Sequence, residues 1–185
     1  RVHAPAETAP DAGSHRGGQP GLDHHESASG RDGGAKKSGP QSIGKSRGGW
    51  TTKLHLVAAS ACDVVTWSLT PGQAADGPEG RRLIEAMGGP QEAGEVALLM
   101  DSAYEGEATR ELAEQLGFVV VVPPNPQRKQ PWALDKLRYR RRNEVERLFR
   151  RLKAWRRVFT RYDKLDVMFA AFITVALMAE ALRLR

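Results

Sequence analysis

Two carboxylates stand where chemistry could be done. Glu146 lies within YRRRNEVERLFRRLK (residues 139–153), inside the densest positive charge of the chain. Between residues 136 and 161 there are twelve Lys or Arg against two acids, Glu144 and Glu146, so this window carries +10 while the whole chain carries +6. The remainder therefore sums to −4: one basic element sits on a mildly acidic body. Asp101 directly follows EVALLM (residues 95–100), a nearly continuous apolar run of strand length. A carboxylate at a strand end and another on a later helix, beside Arg and Lys, can hold divalent metal against phosphate. Carboxylate oxygens suit Mg²⁺ or Mn²⁺, and two such ions about 4 Å apart activate water and stabilise the leaving oxygen of a phosphodiester. Each residue also has a plain structural reading. An Asp after a strand is a common helix N-cap, and a Glu among arginines is commonly an i,i+3 or i,i+4 ion-pair partner.

Elements of the right kind surround both. Residues 139–153 contain no Gly or Pro and are rich in helix formers, which predicts a helix. At about 100° per residue, Val145, Leu148, Phe149 and Leu152 form one stripe, with Tyr139, Arg142, Glu146 and Lys153 aligned roughly a quarter turn away. Such a helix packs with one face and presents a Tyr-Arg-Glu-Lys row beside it. Upstream, TKLHLVAA (residues 52–59) alternates Leu54, Leu56 and Ala58 against Lys53, His55 and Val57, as a half-buried strand would. VVTWSL (residues 64–69) is a second strand, and SACD reverses the chain between them. His55 reads as a strand side chain with a hydrogen-bond partner.

Helices are predicted over residues 78–87 and 107–116, ended by Gly88-Gly89 and Gly117, with strands over 95–100 and 118–122. A polar loop (123–131), the basic helix and a long apolar helix from residue 164 complete the order. This β-helix-β alternation implies an α/β sheet with crossover helices, where functional residues gather at strand carboxyl ends. Asp101 sits at one such end.

The chain has 185 residues, 40% of them hydrophobic, enough for one domain with a real core. Residues 1 to about 40 are dominated by Gly, Ala, Pro, Ser and His, a composition that predicts disorder. Its four histidines, His3, His15, His24 and His25, have no rigid frame for a metal. Cys62 is the only cysteine, which excludes an intrachain disulfide, points to a reducing cytosol and reads as a buried small hydrophobe. No secretory signal is indicated. In VMFAAFITVALMAEAL (residues 167–182) only thirteen uncharged residues separate Asp166 from Glu180, short of the roughly 20 a bilayer needs, so no membrane partner is expected.

Tyr139-x2-Arg142-x3-Glu146-x6-Lys153 resembles the signature around the third acidic residue of insertion-sequence DDE transposases, in the branch that holds the IS-four and IS-five families. LLMDSAYEG (residues 98–106) is similar to the stretch around their second Asp. GPQSIGKSRGGWTTKLHLVAA (residues 39–59), and RRNEVERLFRRLK followed by KLDVMFAAF, resemble IS-five-like sequences almost continuously. The resemblance covers residues 36 to 183. It implies a ribonuclease-H-like fold, a mixed sheet with flanking helices, in which two Asp and one Glu bind two Mg²⁺ or Mn²⁺ ions.

By that resemblance Asp101 and Glu146 take the second and third places. Asp23 takes the first by position, since Leu22-Asp23 is followed by Asp32-Gly33 at the family's interval. Arg142 and Lys153 would hold DNA phosphates, and Tyr139 would stack on or hydrogen-bond to the strand end. The implied activity is metal-dependent nicking at transposon ends, then attack of the freed 3′ hydroxyl on target DNA. Its implied setting is a synapsed homodimer on DNA, in a bacterial cytoplasm at the nucleoid. Residues 1–36 depart from the family text, so the expected organisation is a non-family, disordered segment over 1–36 and a partial catalytic domain over 37–185. Out-of-frame translation or a degraded fragment would explain the switch, and would leave the fold incomplete at its amino end and the chain an inactive remnant. The rival reading is a non-catalytic DNA-binding fragment whose carboxylates are structural. A third, a basic membrane-surface protein, is opposed by the packing stripe of the basic helix.

Overall fold

The computed structural model describes residues 2–3, 7–8, 39–46, 49–91 and 94–183. Its strands are β1 (Val2–His3), β2 (Glu7–Thr8), β3 (Gly44–Ser46), β4 (Gly49–Ala58), β5 (Val64–Pro71), β6 (Val96–Leu99) and β7 (Phe118–Val121). Its helices are α1 (Asp76–Met87), α2 (Glu107–Gln115), α3 (Lys136–Tyr139), α4 (Asn143–Ala154), α5 (Arg156–Phe159) and α6 (Asp166–Arg183), with 3-10 turns at Ser102–Tyr104 and Arg140–Arg142.

The sheet is organised about β4. The expected hairpin is present: β5 runs antiparallel along one edge of β4, from Thr52↔Pro71 to Ala58↔Val64. Along the other edge β1 and β2 share one antiparallel register, His3↔Ala58, Glu7↔Leu54 and Thr8↔Lys53. β1 is also parallel to β6, through Val2↔Leu98 and His3↔Leu99, and β6 is parallel to β7. The order is therefore β5, β4, β1, β6, β7: an antiparallel half joined to a parallel half, a mixed α/β sheet.

Two hydrophobic layers cover its faces. Leu54, Leu56 and Ala58 pack with Val145, Leu148, Phe149 and Leu152 of α4 and with Phe169, Ile173, Ala176 and Leu177 of α6. A second cluster joins Ile84 of α1, Ala113 of α2 and Tyr104 to Val96, Leu98, Met100, Phe118 and Val122. The packing stripe predicted for the basic helix is thus the stripe that is buried. Among the described residues no helix is long and apolar enough to cross a membrane.

Several expectations change. β4 is not half-buried: His55, Val57 and the even-numbered Leu54 and Leu56 are all buried. Its odd face is polar because it anchors other elements, Lys53 Nζ reaching Asp76 Oδ1 at the start of α1 at 2.7 Å. The basic helix is not continuous. A 3-10 turn at Arg140–Arg142 separates α3 from α4, and extended backbone at Trp155 (φ −81°, ψ 106°) separates α4 from α5. Cys62 lies only half-buried in the β4–β5 turn, its Sγ 3.4 Å from Ser60 Oγ. Within the stretch expected to be disordered, residues 2–3 and 7–8 pair in the sheet. The central slot between β4 and β6 would otherwise leave two rows of unpaired N–H and C=O groups, and backbone pairing satisfies them whatever the side chains.

The start of α6 is tied to β4 by one carboxylate. Asp166 accepts hydrogen bonds from Ser42 N and Ser42 Oγ, both 2.7 Å, and from Arg161 Nη2 at 2.7 Å, while Arg161 Nη1 donates to Thr52 Oγ1 at 2.7 Å. Burial works to raise the Asp166 pKa, but the bonds from Ser42 and Arg161 outweigh it and hold the carboxyl below its ordinary value. A lowered folded-state pKa means stabilisation that is fully present above about pH 4 and is lost as the pH falls through the folded-state value. Asp166→Asn is expected to cost about 1–3 kcal/mol at pH 7 in urea unfolding, because it strips a charge partner from the buried Arg161. The gap to the parent chain should close as the pH is lowered toward 3, roughly the range in which such carboxylates protonate.

Candidate active site

Asp101 lies one residue beyond the buried Met100 that follows β6, and its two carboxylate oxygens do different things. Oδ1 accepts from Ser102 N at 2.7 Å and caps the 3-10 turn, whose Tyr104 N bonds back to Asp101 O at 2.9 Å. Oδ2 accepts from Arg142 Nη2 at 3.0 Å. The cap reading of this residue holds through Oδ1, and Oδ2 is left to Arg142.

Glu146 lies in the first turn of α4, one turn past Arg142. Its Oε1 accepts from Arg142 Nη1 at 2.5 Å, so the i,i+4 ion pair expected for a Glu among arginines is formed. The same guanidinium thus holds both carboxylates, one on each Nη. Two acids from opposite layers of the fold converge within the width of one planar cation, the geometry for which Arg is suited. Asp101 and Arg142 are partly buried and Glu146 more open, so one side of the group faces solvent.

Tyr139 stands beside them, its ring centroid 6.0 Å from the Arg142 guanidinium carbon. Burial raises the pKa of its phenol; Arg142 opposes the shift, while Asp101 and Glu146 reinforce it. Tyr139 therefore stays an O–H donor through the neutral range. Lys153 is exposed on α4, seven residues and two turns beyond Glu146, about 10 Å along the axis on the same side of the helix. The structure thus joins Asp101, Glu146, Arg142 and Tyr139 and sets Lys153 further along the row. Asp23 lies outside the described residues.

The transposase DDE domain family matches this chain over residues 11–180. The chain belongs to the DDE transposases. Among curated relatives, a protein of Brucella ovis named "Putative transposase for insertion sequence element IS6501" is 30% identical over 127 residues, 68% of this chain and 94% of that relative. No solved structure matches. The family match begins at residue 11, upstream of residue 36.

A DDE transposase has a transposase role and acts on DNA, and domains of this family generally use divalent metal ions. Among the described residues there is no group of three or more His, Cys, Asp or Glu that could hold a metal ion. Asp101 and Glu146 each turn one carboxylate oxygen to the same guanidinium, and carboxylate oxygens are the donors that divalent ions such as Mg²⁺ take.

Other residues at this site escaped sequence reasoning. Arg138, on α3, reaches Glu95 Oε2 at 2.9 Å and so ties the approach to α4 to the start of β6. Tyr104, fully buried, fills the space under the Asp101 turn. Its nearest sequence signal is its place three residues after Asp101.

Arg142→Ala removes the cation shared by two neighbouring acids. Urea unfolding should show a loss of about 1 kcal/mol at low ionic strength, modest because Glu146 is well solvated, and the loss should shrink in high salt.

Proposed function

We propose that residues 37–185 form the catalytic part of an insertion-sequence transposase of the IS-five-like branch, which nicks a DNA strand at the element's end and joins the freed 3′ hydroxyl to target DNA. The observation that carries this is the single guanidinium shared by Asp101 Oδ2 and Glu146 Oε1. Unlike a chance surface pair, it links the end of a central strand to a helix on the far layer. The ribonuclease-H-like reading is supported by the strand order β5, β4, β1, β6, β7, antiparallel in its first half and parallel in its second.

In this reading Asp101 and Glu146 are metal ligands and Asp23 is the third carboxylate. Two bound Mg²⁺ or Mn²⁺ ions would activate the attacking oxygen and stabilise the leaving 3′ oxygen. The residues of the chain do the rest. Arg142, whose guanidinium lies at both carboxylates, has planar donors that would suit a phosphate beside the scissile bond. Tyr139 offers a protonated phenol to the strand end, and Lys153 extends the cationic row along the backbone. Phosphate contacts of this kind position DNA without reading its sequence. Action on paired element ends calls for two copies in a synapse.

Nicking of a duplex that carries the element's ends, assayed with Mn²⁺, tests the proposal. The parent chain should cut, and Glu146→Gln, Asp101→Asn and Asp23→Asn should each lower the rate by on the order of 100-fold or more while DNA binding persists. Lys153→Ala should instead weaken binding to all sequences alike and reduce the salt slope by about 1. A parent chain that binds DNA and never cuts it would sink the catalytic reading in favour of a DNA-binding fragment.

A further inference from the structure

The face of the sheet opposite α4 carries a buried polar chain that the proposed chemistry does not use. His55, in the middle of β4 and 2% exposed, places Nδ1 2.7 Å from Tyr104 Oη and Nε2 2.8 Å from Thr70 Oγ1 of β5. Both ring nitrogens are thereby partnered by hydroxyls. The His55 and Tyr104 rings meet edge to face, with centroids 6.3 Å apart. Tyr104 is fully buried, and it closes the 3-10 turn that Asp101 begins and caps.

The seat of Tyr104 is made by a glycine. A Cβ on Gly80 of α1 would lie 2.4 Å from Tyr104 Cδ1 and 2.7 Å from Cε1, so only glycine lets α1 close over the ring. Lys53, two residues before His55 on the same face of β4, holds the start of α1 by Asp76 Oδ1 at 2.7 Å and the turn before it by Ala74 O at 2.8 Å. The turn that carries Asp101 is therefore clamped from β4, β5 and α1, with its one large side chain pinned at the hydroxyl.

We infer that His55 is a positioning residue for Asp101: through the Tyr104 hydroxyl it fixes the 101–104 turn so that Asp101 Oδ2 is turned toward Arg142 rather than solvent. This rests on the reading of Asp101 as a metal ligand given above, and adds a role for two side chains that never touch metal or DNA. A purely apolar filling of the same space would bury Tyr104 equally well. It would leave the ring free to slide in its plane, whereas the bond at 2.7 Å fixes its depth and hence the backbone three residues upstream. Burial lowers the pKa of His55, with Asp76 and Glu79 opposing, so the imidazole is neutral near pH 7 and can accept a hydrogen bond from the phenol O–H.

The experiment uses the full chain with Tyr104→Phe, His55→Gln, His55→Leu and the His55→Leu/Tyr104→Phe pair. Hydrogen exchange at the Ser102 and Tyr104 amides and Mn²⁺ affinity by electron paramagnetic resonance are followed together. Tyr104→Phe keeps the ring packing and deletes one oxygen, so it serves even if His55→Leu fails to fold. Exchange at these two amides should rise about tenfold in Tyr104→Phe and His55→Leu, with α4 amides unchanged, and Mn²⁺ binding should weaken by a similar factor. His55→Gln, able to reach the phenol with its amide, should restore much of both. The double variant should be no worse than either single one, as expected of two partners in one bond. Unchanged exchange in Tyr104→Phe, or equal loosening throughout α4, overturns the inference. A parent chain that binds no Mn²⁺, with the turn still loosened in Tyr104→Phe, overturns the metal reading alone and leaves the His55–Tyr104 restraint standing.

Discussion

Strand β4 is buried on both faces, and most of the structure follows from how it meets that constraint. Its even-numbered side chains Leu54, Leu56 and Ala58 are aliphatic and meet α4 and α6. Its odd-numbered side chains include Lys53 and His55, which no core accepts without partners, since an unpaired buried polar group costs more than its packing returns. Each partner belongs to a different element: Asp76 to α1, Tyr104 to the Asp101 turn, Thr70 to β5. Satisfying the polar face of one strand therefore sets α1, β5 and the end of β6 relative to one another.

The acidic pair depends on the same arrangement from both sides. Asp101 leaves the parallel half of the sheet beneath α1 and α2, whereas Glu146 rides on α4, whose apolar stripe is seated on β4. Two carboxylates brought this close repel each other unless positive charge intervenes, and Arg142 supplies it with one nitrogen to each. The break in the basic helix serves that contact. The 3-10 turn at Arg140–Arg142 lets α3 lie beside β6, where Arg138 meets Glu95, while α4 takes up the direction its stripe requires.

Much of this was legible in the residues. The β4–β5 hairpin, α1, β6, α2, β7 and α6 all lie where periodicity and glycine stops placed them, to within about three residues. Glu146 and Arg142 form an i,i+4 pair that spacing alone predicts. The half-buried reading of β4 failed because alternation shows only which residues share a face, not whether that face is covered. The central strand was hidden for a related reason. β1 and β2 pair through backbone groups every residue possesses, so composition around Val2 and Glu7 carried no sign of them.

By itself the sequence determined the elements, the basic row on α4, and through its motifs the membership in the DDE transposases. These are properties of residues near one another along the chain, where helical and strand periods act directly. Only the tertiary structure decided that Asp101 Oδ2 and Glu146 Oε1 share the Arg142 guanidinium, and that His55 reaches Tyr104 across 49 positions. Those contacts join residues on different elements, and their distances are set by how the two layers close on the sheet.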